Sequence, residues 1–166
     1  MRGTLEQPDR RLEVVCEQLE IYDLFNLYGE ALDHEQWGLL DSVFSGDVSA
    51  TWFGRFERRG RDDVVSFVRM LLRDVSESHH LFGNYTSIVC GNAAEASVRT
   101  RAYFRGSNAA DGHFLDTIGS LAGELVPTRD GWRFERLDHD LTVIAGTRDL
   151  FPPEPELGRT GRASSL

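Results

Sequence analysis

The hydrophobic periodicity of this chain changes for good near Ser78. Before that point three helical stretches are interrupted by only two short strands; after it the apolar residues fall into long strand-like runs. Val15, Leu19, Leu24, Leu27, Tyr28 and Ala31 mark one face of a long helix over residues 12–32. Trp37, Leu40, Val43 and Phe44 mark a shorter second helix, ended by Ser45-Gly46-Asp47. Residues 48–53 and 55–59 read as two short strands around Gly54. Gly60 then breaks the chain, and Val64, Val65, Phe67, Val68, Leu71 and Leu72 describe a third helix. Four strands follow, at residues 79–90, 94–104, 113–126 and 132–143, with Asp130-Gly131 as a short-hairpin signal. Helices first and a meander afterwards predict an α+β fold. The three N-terminal helices are the only cover for the sheet's apolar face, so a strongly curved, mixed or antiparallel sheet wraps them into a cone with an internal pocket. One domain is expected over residues 12–149, with a loose polar start at 1–11 and an extended, mobile tail at 150–166. A fold-back of Phe151 over a pocket mouth is open to that tail, though nothing local requires it.

Composition narrows the chemistry. The 166 residues suffice for one real core. A net charge of −9 lacks the basic face that a nucleic acid or an anionic membrane requires. All 18 basic residues are arginine, so Schiff-base chemistry, pyridoxal anchoring and a phosphate-loop lysine have no side chain to use. Cys16 and Cys90 have no paired spacing and read as small hydrophobes. With no apolar leader and no window long enough to span a bilayer, the expected setting is cytoplasmic.

The remaining proton-moving groups centre on Asp33 and His80. Asp33 stands near the end of the first helix and His80 opens the meander. A carboxylate that holds one ring nitrogen of a histidine leaves the other free to move protons near neutral pH. The helix dipole slightly disfavours a carboxylate at a helix C-terminus, which raises the odds of a tertiary partner for Asp33.

The order of Tyr28 to Asp33 with Trp37, the exit at Val43-Phe44 to Asp47, Gly60, His80 with Asn84, and Gly131-Trp132 resembles the NTF2-like superfamily, specifically its SnoaL-like branch of polyketide cyclases and scytalone dehydratases. The resemblance covers roughly residues 19–146. It implies a cone-shaped fold with an interior pocket, no metal, no organic cofactor, and a homodimer packed through the open sheet. It also implies that an aspartate ending the first helix, here Asp33, holds a histidine on the first strand of the meander, here His80. Two departures stand out. The scytalone dehydratases hold a catalytic water with tyrosines, where this chain has Leu32, Trp52 and Phe53. The Gly-x-Tyr-x-Asp pattern of the third meander strand is here Gly119-Ser-Leu121-Ala-Gly123, without ring or carboxylate.

The expected catalytic pair is therefore His80 as general acid/base and Asp33 as its orienting partner. Tyr28 and Trp52 are expected as pocket wall, against the plainer reading of core. Asn84, with the strand parity of His80, is expected to donate to a substrate oxygen. His113 is a candidate second acid/base group, and Asp116 a candidate carboxylate on a later strand. His79 should face the other side of the sheet. A zinc site drawn from His79, His80, His113 and His139 fits no usual ligand spacing, so no metal is expected. The function expected is a cofactor-independent cyclase or dehydratase acting on a small, apolar, carbonyl-bearing compound. The alternatives are an isomerase or a non-catalytic binding or assembly protein on the same fold. Epoxide hydrolysis lacks the convergent acids it needs.

Overall fold

A computed structural model describes residues 6–107, 113–147 and 150–153, with side chains from residue 11 onward. The first helix, α1, spans Glu6–Asp33 and so begins earlier than the polar sequence suggested. Pro8 falls in its first turn, where a missing N–H costs nothing and a fixed φ suits the helix. The buried stripe of α1 is Ile21, Leu24, Phe25, Tyr28, Ala31 and Leu32, a clean three-four spacing. Val15 and Leu19, expected on that face, are exposed because only the second half of α1 lies over the core.

The second helix is a single 3-10 segment, Trp37–Ser42, anchored by a fully buried Leu40. Phe44 already belongs to strand β1, Phe44–Trp52. The Ser45-Gly46-Asp47 cluster is thus not a helix stop. It lies where the β1 register shifts between Phe44 and Ser49, a bulge. β2, Phe56–Arg59, returns antiparallel to β1. Helix α2, Arg61–Leu71, buries Val64, Phe67, Val68 and Leu71, the stripe expected from the sequence.

The meander comprises β3 (Val75–Cys90), β4 (Ala93–Gly106), β5 (Phe114–Thr128) and β6 (Gly131–Gly146). The six strands are ordered β2-β1-β6-β5-β4-β3, with β1 parallel to β6 and every other pair antiparallel. The sheet is therefore mixed, and curved over the helices as expected. Bulges in β3 between Gly83 and Thr86 and in β6 at Glu135 and Thr142, opposite Leu125 and Gly119 of β5, add bend. Gly123 is needed for the tight curve, since a Cβ there would stand 2.6 Å from the Arg136 carbonyl and from the Phe134 ring. The inward residues of the sheet and helices form one large core. A second cluster of Ala102, Phe104, Leu115 and Leu150 closes the far end of the inner face, with Leu72, Val75 and Phe151 against it.

That second cluster corrects the expected domain end. Leu150 is only 2 % exposed, and Phe151 packs on Phe104 and Phe53, so the folded unit continues past residue 149. Burying a leucine this fully contributes about 1.5–3 kcal/mol, enough to hold a short segment down. The rest of the expected tail, from residue 154, lies outside the described residues, as do residues 1–5 of the expected loose start. No described helix is long and apolar enough to cross a membrane.

Candidate active site

Asp33 is the last residue of α1, and β3 runs beside it. The approach depends on Gly29, one turn earlier on the same helix face. A Cβ at Gly29 would lie 2.7 Å from Phe82 Cε2 and 3.3 Å from His80 Cβ, so only glycine lets β3 close onto the helix.

Three donors then converge on one carboxylate. The His80 ring Nδ1 lies 2.6 Å from Asp33 Oδ1, the Ser78 hydroxyl donates to the same oxygen at 2.7 Å, and the His80 backbone N–H donates to Oδ2 at 2.7 Å. Burial raises the Asp33 pKa. The ring hydrogen bond and charge of His80, its backbone N–H and the Ser78 hydroxyl outweigh that and hold it below the ordinary carboxylate value. An ionised acceptor assigns the proton to Nδ1, which leaves Nε2 of His80 with a free lone pair. The pair is well sheltered, with side chains 5 % and 10 % exposed. The two residues singled out from sequence are thus in contact. His79 stands 4.0 Å from Asp33 Oδ2, but its side chain is 69 % exposed and outward, as alternation required.

Around His80 the inner face is aromatic. Its ring stacks on Phe82 at 6.1 Å and meets the edge of Phe104 at 5.5 Å. Phe104 contacts Phe151 at 5.3 Å, Phe151 stacks on Phe53 at 6.4 Å, and Phe53 lies 5.5 Å from the ring of His139. Phe53 holds a left-handed φ of 57°, unusual for a bulky residue and the kind of strain that clusters at functional sites. Ala102 and Thr117 lie in register with His80 across β4 and β5, and both are buried.

His139 is the residue that sequence reasoning passed over except as a doubtful zinc ligand. It sits on β6, in register with Trp52 on β1 and Leu121 on β5, both inward. Its Nε2 is sealed from solvent and has no hydrogen-bond partner among the described residues. An orphaned buried polar atom costs about 1–3 kcal/mol and is uncommon in folded proteins. Burial first, and the nearby charge of His80 second, push the His139 pKa down to about 3. The signal was present in the sequence: Leu137 and His139 share strand parity, so an inward Leu137 makes His139 inward too.

The other expected pocket residues divide. Tyr28 and Trp52 are inward but belong to the main core, 3 % and 2 % exposed, with the Trp52 indole bonded to the Tyr28 hydroxyl. Burial outweighs that bond and pushes the phenol up to about 12. Asn84 is exposed on the β3 bulge with φ 55°, because the extra residue there breaks the parity shared with His80. Asp116 points to the outer face, between inward Leu115 and Thr117, and is held by a bidentate Arg101 at 2.6 and 3.1 Å. Asn84 and Asp116 therefore do not line the interior. His113 stands at the rim beside Gly106, whose absent Cβ leaves room for the His113 ring and Leu150. Among the described residues no three His, Cys, Asp or Glu side chains gather as metal ligands would. A groove of about 400 Å³ on the outer face, lined by Thr86, Ser97, Glu124 and Arg136 among others, lies on the opposite side of the sheet from the Asp33–His80 pair.

Solved structures repeat this architecture. A protein named as a scytalone dehydratase from Novosphingobium aromaticivorans is 18% identical, with a TM-score of 0.73 over 81% of this chain and 89% of that one. The hexachlorocyclohexane dehydrochlorinase LinA-type3 from Novosphingobium barchaimii is 16% identical, with a TM-score of 0.73 over 86% and 99%. An NTF2-like protein with a cystatin-like fold from Novosphingobium aromaticivorans is 21% identical, with a TM-score of 0.71 over 90% and 96%. At these identities the likeness concerns the fold. No curated protein matches the sequence. The SnoaL-like domain model matches residues 13–138, most of the chain and all of the Asp33–His80 site, and the protein belongs to that family within the NTF2-like superfamily.

Proposed function

We propose that this protein is a cofactor-independent enzyme that removes a proton from the carbon next to a carbonyl in a small, largely apolar substrate. The observation that carries the reading is the 2.6 Å contact between buried Asp33 and His80, which engages Nδ1 and leaves the His80 Nε2 lone pair open to accept a proton. Nε2 takes the α-proton, and the C–H electron pair moves into the enolate, placing charge on the carbonyl oxygen. Two outcomes follow without any further base. The enolate expels a β-hydroxyl, which leaves as water with the proton carried by His80. Alternatively, its carbon attacks a second carbonyl of the same molecule and the new alkoxide takes that proton, closing a ring. Reprotonation elsewhere would give an isomerase. Asp33 stabilises the imidazolium formed in each case and keeps the ring in one orientation.

Two of the three neighbours support elimination of a small leaving group, water in one and hydrogen chloride in the other. Cyclisation of a polyketide-like chain gains from a different fact: the Tyr28 phenol is engaged by Trp52 and sealed in the core, leaving it no role in holding a water. Ring closure or cyclodehydration is the finer reading we favour. A second copy of the chain would pack on the outer face, where Leu81, Ile118 and Val143 are exposed in one register row across β3, β5 and β6.

The test uses the step common to all outcomes. Small β-hydroxyketones and 1,3-diketones are incubated with the protein in D2O, and α-deuteration is followed by NMR. Exchange well above background is expected for the wild type, with a loss of roughly a thousandfold or more in His80→Ala. Equal exchange in both proteins would reject the mechanism.

A further inference from the structure

We infer that His139 is a second substrate-contacting group, whose neutral Nε2–H donates a hydrogen bond to the oxygen on which negative charge collects. The inference rests on the reading above only in taking that oxygen to be a carbonyl that becomes an enolate; the site itself is read from the structure alone. Four observations place it. His139 lies on the inner face of β6, with Trp52 and Leu121 as register partners. It reaches the His80 side of the interior through the contacts of Phe53, Phe151 and Phe104. The charge of His80 is felt at its ring. Its Nε2 is buried and has no partner among the described residues, whereas a merely structural core histidine has its buried nitrogens satisfied.

The two histidines are thereby differentiated. His80 has a carboxylate behind it and is built to become cationic. His139 has no acid among the causes acting on it, only burial and the charge of His80, and stays neutral over the physiological range. A neutral imidazole in a low-dielectric wall is a poor base and a good fixed donor. Facing a cationic His80, it can stabilise an oxyanion without adding a second positive charge to the interior. The ligand this arrangement recognises is a planar, mostly apolar molecule carrying one anionic oxygen, lodged among phenylalanines between the two imidazoles.

4-Nitrophenolate has that chemistry and is the probe. The protein, labelled with 15N-histidine, is titrated with it, and affinity is read from the visible absorbance of the phenolate. A neutral His139 ring in the free protein is expected, with its Nε2 shift moving at saturation. His139→Phe, which keeps a flat ring but no donor, should weaken binding roughly 10- to 100-fold. His139→Gln, which restores an N–H, should recover part of the loss. Unchanged affinity in His139→Phe, an unmoved His139 nitrogen at saturation, or no binding to the wild type would each overturn the proposal. The wild-type spectra keep the test decisive even where a variant folds poorly. Phenolate binding through His139 without any α-proton exchange would uphold this inference and reject the reading above. Exchange in the wild type with His139 unmoved would do the reverse.

Discussion

Two carboxylates sit on opposite faces of the same sheet, each held by one basic partner at 2.6 Å. Asp33 faces inward and is bound to His80; Asp116 faces outward and is bound to Arg101. Both are held below the ordinary carboxylate value, Asp33 against a burial penalty and Asp116 chiefly by the hydrogen bond from Arg101. The chemistry on paper is nearly the same, and the consequence is not. Arg101 is 62 % exposed, so water and salt screen its pair, and an arginine cannot give up its proton. His80 is 5 % exposed and its second nitrogen can take and release one. Contact distance does not make a proton relay. Burial plus a titratable partner does.

The strongest way to break the inner pair is Asp33→Asn, which keeps the shape and removes the charge. The rate of α-proton exchange should fall roughly 100- to 10,000-fold, with a much smaller change in substrate affinity, because orientation and charge serve the transition state. Three donors that served an ionised acceptor would face an amide, so stability should also fall by about 1–3 kcal/mol in urea unfolding. The wild-type pair has a defined acid limit. A depressed carboxylate pKa gives stability that is present above the unfolded value near 3.8 and lost as pH falls through the lower folded value. Unfolding midpoints of the wild type should therefore show the Asp33 contribution disappearing only below about pH 3.8, with the difference from Asp33→Asn closing there. A rate loss under threefold would remove Asp33 from the mechanism.

Gly29→Ala attacks the same pair from behind. The added methyl would press on the Phe82 ring and on His80 Cβ, forcing β3 away from α1. Overpacking of this kind costs about 1–3 kcal/mol, and the displaced imidazole should lose one to two orders of magnitude in rate. A crystal structure or the His80–Asp33 NMR coupling would show the gap. An unchanged contact with a full loss of rate would mean that Gly29 acts otherwise.

How much of this arrangement could be read from the residues depends on strand phase. The helix stripe at Leu24, Tyr28 and Ala31 put Asp33 at a helix end facing the meander, and His80 opened a strand whose alternation held for its first residues. Both parts of the pair were legible for that reason. Asn84 was misplaced because the bulge between Gly83 and Thr86 resets the phase, and no local sequence signal marks a bulge whose cause is curvature over a helix. Asp116 was avoidable: Leu115 and Thr117 flank it as inward residues, so it could not share a face with them. His139 had readable parity through Leu137 but no nearby motif to draw notice. Leu150 and Phe151 read as tail from the sequence because their partners, Phe104 and Phe53, are distant along the chain. A contact set by tertiary closure leaves no periodic mark.

His139 offers a stability test independent of any substrate. A histidine whose pKa falls from 6.5 to about 3 on folding is protonated more readily in the unfolded chain. Stability is then full above pH 6.5 and declines as pH drops towards 3, by at most about 1.4 kcal/mol per pH unit. His139→Phe should flatten that slope, measured as urea midpoints between pH 7 and pH 4. An unchanged slope would place the His139 ring in contact with solvent.

The outer pair should give the smallest effect, and that is its use. Asp116→Asn removes one charge from a solvent-screened contact whose partner already lies in water. Exposed pairs contribute at most about 1 kcal/mol, so the urea midpoint should barely move, and addition of salt should erase what difference there is. The rate of α-proton exchange should stay within about twofold of the wild type, because Asp116 is separated from His80 by the thickness of the sheet. A large loss of rate with stability intact would mean that the outer face carries function after all, either through the groove beside Glu124 and Arg136 or through a second copy seated there. Gel filtration of the same variant separates those two causes, since only the second changes the elution volume.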